Sequence, residues 1–208
     1  MTLMEVVVVI LVIFVLMVLA VMLLPRLHAQ KHNAPEINCA SNLKQITLAY
    51  RLWEGDNGDK YPMSVSVTNG GTMELANGRN AWINFLAISN QLTTPKILHC
   101  PADTKHFVTN LWSGFNNQNL SYFVNLNANE SDPEIWLSGD AHFEIGSVPV
   151  KSGLLEISSN TPIAWSAARH RLHGNIGFTD GSVQSTTTSS LSNLLHQTGL
   201  ATNRLAIP

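Results

Sequence analysis

Charge is scarce in this sequence. Lysine and arginine number 12 and aspartate and glutamate 14, together 12% of the chain, with a pI of about 6.4. A nucleic-acid-binding surface needs a basic excess that is not there. Cysteine is scarcer still, with Cys39 and Cys100 alone, and no CxxC pairs them, which argues against the common redox and zinc-binding spacings. Also missing are an HExxH helix, a GxSxG elbow and a phosphate-cradling glycine loop, the sequence signatures of zinc proteases, α/β-hydrolases and nucleotide enzymes. The expectation is a protein that is not an enzyme, with no catalytic residues, no cofactor and no metal.

What the sequence has instead is a long apolar run, residues 6–24, closed by Pro25 and Arg26. At about 1.5 Å per residue it makes a helix of roughly 28 Å, close to the hydrocarbon thickness of a bilayer. Glu5 sits at the edge of this run, where an ionised carboxylate costs about 3 kcal/mol at mid-membrane and less near the interface. It calls for a cation. The chain's own α-amine at Met1 lies four residues away on the same helical face. The pair can close within one helix, or between the amine of one subunit and the carboxylate of its neighbour in a bundle. An ordinary signal anchor with an incidental acid is the plainer alternative.

Beyond the anchor about 180 residues remain, enough for one domain with a genuine core. Abundant Asn, Ser and Thr suit an extracytoplasmic surface with many turns. A single pair of cysteines in an oxidising compartment reads as one disulfide, Cys39 to Cys100. It would close a loop of roughly 60 residues, worth about 4 kcal/mol in the chain-entropy picture; two separate buried thiols are the alternative. Cys39, Leu43, Ile46, Tyr50 and Trp53 recur at helical spacing, so residues 36–53 should pack one face on the head while Lys44, Gln45 and Arg51 take the other side. Pro25 and Pro35, with Asn33 as a restart cap, predict a kink or brief interruption over residues 25–35. Asp56 and Asp59 around Gly58 offer too few oxygens for calcium and read as a solvated turn.

Further along, residues 81–91 read as a short helix and 96–101 as extended. Residues 120–126, 135–139, 154–158 and 162–167 read as short antiparallel strands. The clearest hairpin is Gly174 to Ser185, with Asp180-Gly181 expected as a type I′ turn. Residues 190–199 form a second amphipathic piece, and the tail is expected to dock on the head. The divisions are a membrane or filament-core helix at 1–25, its amphipathic continuation at 26–54, and a globular head at 55–208 that includes the hairpin segment 170–185.

Thr2-Leu3-Met4-Glu5 followed by valine-rich apolar sequence resembles the mature amino terminus of type IV pilins and type II secretion pseudopilins. His170 and Asp180-Gly181, nine residues apart, match the H-X9-DG segment at the carboxyl end of a large group of pilin-like proteins. The likeness extends to Asn42-Leu43-Lys44-Gln45-Ile46, to Cys100-Pro101-Ala102-Asp103 and to the stretch from Arg169 to Gly174. In order, these cover most of the chain. Position 1 is Met where Phe is usual and no leader precedes it, so the expectation is numbering that begins at the processed protein.

The resemblance implies an α+β, pilin-like fold, a long hydrophobic helix packed on a small antiparallel sheet with extra loops and short helices. It implies a structural subunit that polymerises with copies of itself, Glu5 neutralising a neighbour's methylated amine at position 1. Its partners would be a prepilin peptidase, an assembly ATPase and an inner-membrane platform. The location would be the inner membrane first, then an extracellular filament. A short periplasmic pseudopilus and a membrane-tethered module that binds glycan or protein are the alternatives.

Eight histidines raise the question of chemistry. His170, His173 and Asp180 could meet through the hairpin, with His142 joining from the strand that carries Asp140, and three such ligands can hold zinc or iron. Without ligand spacing of a known kind, the reading is that a strand histidine beside a turn aspartate fixes a loop. The basic stretch Arg169, His170, Arg171 and His173 reads as a solvated strand end. Trp112, Phe115, Tyr122, Phe123 and Trp136 read as core rather than as a sugar platform.

Overall fold

A computed structural model describes residues 2–76 and 79–208, the side chains of residues 23–33 excepted. It is an α+β protein whose chain divides into two compact units, Met1–Pro35 and Glu36–Pro208. The first helix, α1 (Leu3–Asp56), contributes to both. Its assignment is unbroken across residues 25–35, so the expected interruption is absent. Pro35 forgoes one backbone hydrogen bond, and the bonds on either side suffice to carry the helix through. A kink at 25–35 concerns mainly residues whose side chains lie outside the described set, as does Met1.

In the first unit, Leu3–Met22 is a 20-residue stretch of mean hydropathy 3.3 whose most apolar window is wholly exposed. It is compatible with a membrane anchor or a signal sequence.

The second unit is built on a six-stranded antiparallel sheet. Its strands are β1 (Tyr122–Asn125), β2 (Trp136–Asp140), β5 (Gly153–Ile157), β7 (His173–Phe178), β8 (Val183–Thr187) and β9 (Asn203–Ile207), in the spatial order β5-β9-β1-β2-β7-β8. Three short strands, β3 (Phe143–Ile145), β4 (Val148–Pro149) and β6 (Ile163–Trp165), form a second sheet. Two further helices are α2 (Ala81–Ala87) and α3 (Thr188–Gln197).

Period-two alternation lets the large sheet bury both faces. Tyr122, Val124 and Ala206 join Cys39, Leu43, Ile46 and Tyr50 of α1 and Phe85 of α2 in one core. Phe123, Leu205 and Ile207 join Trp136, Phe143, Trp165, Leu191 and Leu195 in the other. The expected stripe of α1 is the buried one, and four of the five aromatics set against a sugar platform, Phe115, Tyr122, Phe123 and Trp136, are buried.

Two expectations need correction, and that of a docked tail becomes more specific. Residues 95–98 form a 3-10 turn before Cys100 rather than an extended segment, because Pro95 fixes a helical φ at its start and Thr94 caps it. The tail is an inner strand, β9, hydrogen-bonded to both β5 and β1. The Asp180 turn is not type I′. Phe178 and Ser182 close it around three residues, and Gly181 alone among them has positive φ, 83°, the arrangement of a three-residue loop with a left-handed glycine.

Helix α1 lies on β7 where there is no side chain to keep it away. A Cβ on Gly177 would stand 2.5 Å from Thr47 Cγ2 and 3.2 Å from Leu43 Cγ. Gly177→Ala is therefore expected to destabilise the chain by about 1–3 kcal/mol through overpacking, read as a lower midpoint in denaturant unfolding followed by tryptophan fluorescence. An unchanged midpoint would rule out this close approach of helix and strand.

Candidate functional site

Four segments far apart in sequence deliver polar side chains to one buried place. Cys39 comes from α1, Cys100 from the turn after the 95–98 segment, Asp140 from the end of β2, and His170 from the turn before β7. A register shift in β2 between Trp136 and Ser138 aims Asp140. A bulge inserts one residue and resets the alternation of faces. Asp140 thereby sits opposite Tyr122 on the α1 side of the sheet, while Trp136 faces the other core.

Around this point Cys39 Sγ donates to Asp140 Oδ1 at 3.1 Å and lies 3.2 Å from the Tyr122 hydroxyl. Cys100 Sγ and His170 Nε2 are 3.2 Å apart, and that nitrogen is 3.9 Å from Asp140 Oδ2. Asn175 gives Asp140 Oδ2 both its backbone N–H at 2.8 Å and its side-chain amide at 3.0 Å. The ligand-capable atoms of Cys39, Cys100, Asp140 and His170 all lie within 4.8 Å of one another.

The backbone bends to place the histidine. His170, Arg171 and Leu172 all have positive φ, at 47°, 53° and 68°. Left-handed geometry costs an L-residue about 1–2 kcal/mol each, and strain of this kind gathers at functional positions.

Beside the cluster, Arg169 is buried in an ion pair with Asp103 and donates to Ser121 O at 2.9 Å. Asp103 also accepts from His106 Nδ1 and from the Ser121 hydroxyl, both at 2.7 Å, and from the Lys105 amide at 2.9 Å. Burial raises the Asp103 carboxyl, but His106, the Arg169 charge and these other donors together hold it well below the usual carboxylate range. Burial first, then Cys100 and Asp140, push the Cys39 thiol up. The hydrogen bond from Cys39, helped by His170 against burial, brings Cys100 down to about 6. Burial would lower His170, yet Cys100 and Asp140 raise it. His142 is brought down to about 4, mainly by burial, and stacks on Trp165 with its Nε2 2.9 Å from His173 O.

These placements revise the expected site. Cys39 and Cys100 are neighbours; in this structure their sulfurs are not bonded to each other, and each has a polar partner. His170 and Asp180-Gly181 do not meet. The histidine joins the cysteines, whereas Asp180 Oδ1 accepts the Ser182 amide at 2.7 Å within its own turn. That turn is clamped to α1, with Lys44 Nζ and Thr47 Oγ1 donating to Gly181 O at 2.5 and 3.3 Å and Arg51 to Thr179 O at 3.0 Å. Nor is the basic stretch a solvated end, since Arg169 and the His170 side chain turn inward. In the first unit Glu5 Oε2 accepts the Thr2 amide at 2.7 Å, and its expected partner, the amine of Met1, lies outside the described residues.

Sequence reasoning missed the roles of Asp103 and Arg169. The signal was present in Cys100-Pro101-Ala102-Asp103, where an acid directly follows a cysteine turn, and in an arginine next to the motif histidine. Comparison with protein-family models, with curated proteins and with solved structures finds no match to this chain.

Asp103→Asn is expected to cost about 3 kcal/mol at neutral pH, because the buried Arg169 loses its close carboxylate partner and keeps only Asp140 at 4.0 Å and Ser121 O. The sign of the pH dependence follows from the depressed carboxyl. Its contribution is complete above the unfolded value of about 3.9 and is lost as pH falls from there through the folded value. Unfolding midpoints measured from pH 7 downward should converge for the two proteins; parallel curves would show that Asp103 is not the group responsible.

Proposed function

We propose that the chain is a pilin-like structural subunit that polymerises through its amino-terminal helix. The observation that carries this reading is Leu3–Met22, a 20-residue stretch exposed to solvent in the isolated chain and apolar throughout except for Glu5 near its tip. Such a surface needs cover, first lipid and then copies of itself, at about 25 cal/mol per Å² of apolar area removed from water. Lipid alone covers the sides of the rod and does nothing for the carboxylate. A neighbour's amine does both, because it arrives on an identical apolar rod and meets Glu5 at the same depth. The α+β head, with α1 residues 36–56 packed on its sheet, then serves to coat the shaft.

In this reading the inner membrane holds the subunit before assembly, and the product is an extracellular filament or a shorter periplasmic one. By the resemblance, an assembly ATPase and an inner-membrane platform would extract the helix from lipid, and a prepilin peptidase would process its amino terminus. The competing reading is a tether that presents a binding head.

Glu5→Ala is expected to leave the head folded and to abolish or slow polymerisation. The check is electron microscopy of sheared surface material, alongside circular dichroism of the detergent-solubilised subunit. Filaments of normal number and symmetry from the variant would refute the pairing, and a monodisperse wild-type monomer with no polymer in native membranes would favour the tether.

A further inference from the structure

We propose that Cys39, Cys100, Asp140 and His170 form a closed tetrahedral site for a divalent transition metal of the zinc class, which fastens α1 to the sheet. Zinc bonds of about 2.0–2.3 Å in tetrahedral array place neighbouring ligand atoms about 3.3–3.8 Å apart. The pairs here stand at 3.1 Å for Cys39 Sγ and Asp140 Oδ1 and at 3.2 Å for Cys100 Sγ and His170 Nε2, with every pair of ligand atoms inside 4.8 Å. Small displacements of side chains complete the tetrahedron. Two sulfurs, an imidazole nitrogen and one carboxylate oxygen are a donor set that suits zinc and does not suit magnesium or calcium.

The surroundings match what a metal ligand set requires beyond its first contacts. Asp140 Oδ2 is held by both donors of Asn175, which leaves Oδ1 turned toward Cys39. The Tyr122 hydroxyl reaches Cys39 Sγ, and Arg169 NH1 lies 4.0 Å from Asp140 Oδ1. Partners of this kind orient ligands and set their basicity. Two thiolates and a carboxylate against a divalent cation leave one negative charge, which the Asn175 and Tyr122 donors and the nearby guanidinium disperse.

Cys39, Cys100 and Asp140 have no exposed surface, and the His170 side chain is 2% exposed. No fourth position is left for substrate, so the site is structural rather than catalytic. The ligands come from four separate segments, and binding is therefore coupled to folding of the head.

A disulfide between Cys39 and Cys100 is the exclusive alternative, since it removes both thiolates from coordination. The test uses the full detergent-solubilised chain, purified without chelator. Elemental mass spectrometry is expected to find about one zinc per chain. The intact mass under denaturing conditions should equal that of the dithiol. Stripping with a chelator and refilling with cobalt(II) should give the visible d–d bands and the sulfur-to-cobalt charge-transfer band of a tetrahedral thiolate site. His170→Asn should weaken cobalt binding at least tenfold and alter those bands, as loss of one of four ligands demands. A wild-type mass two protons lighter, or a reduced wild-type chain that takes up cobalt without these bands, would overturn the proposal. Should the variant fail to fold, the wild-type cobalt spectrum alone decides.

Discussion

A carboxylate with no exposed surface constrains everything around it, and Asp140 is such a group. A buried carboxyl left without partners costs several kcal/mol, a large share of a domain's stability, so the fold must bring it donors or cations. The bulge in β2 turns Asp140 to the α1 side, where Cys39 donates to it and Asn175 donates twice from β7. Arg169 and His170 approach from a turn that runs through three consecutive left-handed residues. Helix, bulge, strand and strained turn are thus fixed relative to one another by a single acid.

What was legible in the sequence was whatever obeys a period. The stripe Cys39, Leu43, Ile46, Tyr50 and Trp53 announced the buried face of α1, and short runs bounded by turn residues at 120–126 and 135–139 announced β1 and β2. Strand β9 was hidden because Asn203 to Ile207 is a short, mixed stretch whose partners lie far away in the chain. The cluster was hidden for a different reason. Its members come from four segments, and a register shift that no local pattern signals decides the face on which Asp140 falls. His170 was singled out from the sequence but matched with Asp180, because proximity in a hairpin drawn from sequence assumes that both ends of a strand serve one site.

The two units meet opposite problems with the same kind of group. In Leu3–Met22 the apolar surface is exposed and a lone acid sits near its tip, where the Thr2 amide is its described donor. In Glu36–Pro208 the apolar surface is covered, and the acids are the interior residues that need donors. The first arrangement leaves its apolar surface uncovered within the described chain. The second supplies Asp103 and Asp140 with donors from the chain itself.

The nine-residue spacing of the motif is then a length. Strand β7, with six residues at about 3.3 Å each, covers roughly 20 Å. Along α1, the twelve steps from Cys39 to Arg51 at about 1.5 Å each cover roughly 18 Å. His170 meets the cluster before β7, a Cβ at Gly177 would crowd Leu43 and Thr47 near the strand's end, and Gly181 and Thr179 after it receive Lys44, Thr47 and Arg51. Strand β7 is thus tied to α1 beyond both of its ends, so a change of one residue in β7 would displace one of these ties and turn its side chains to the wrong face. The histidine and the Asp-Gly turn are the two ends of one fastening.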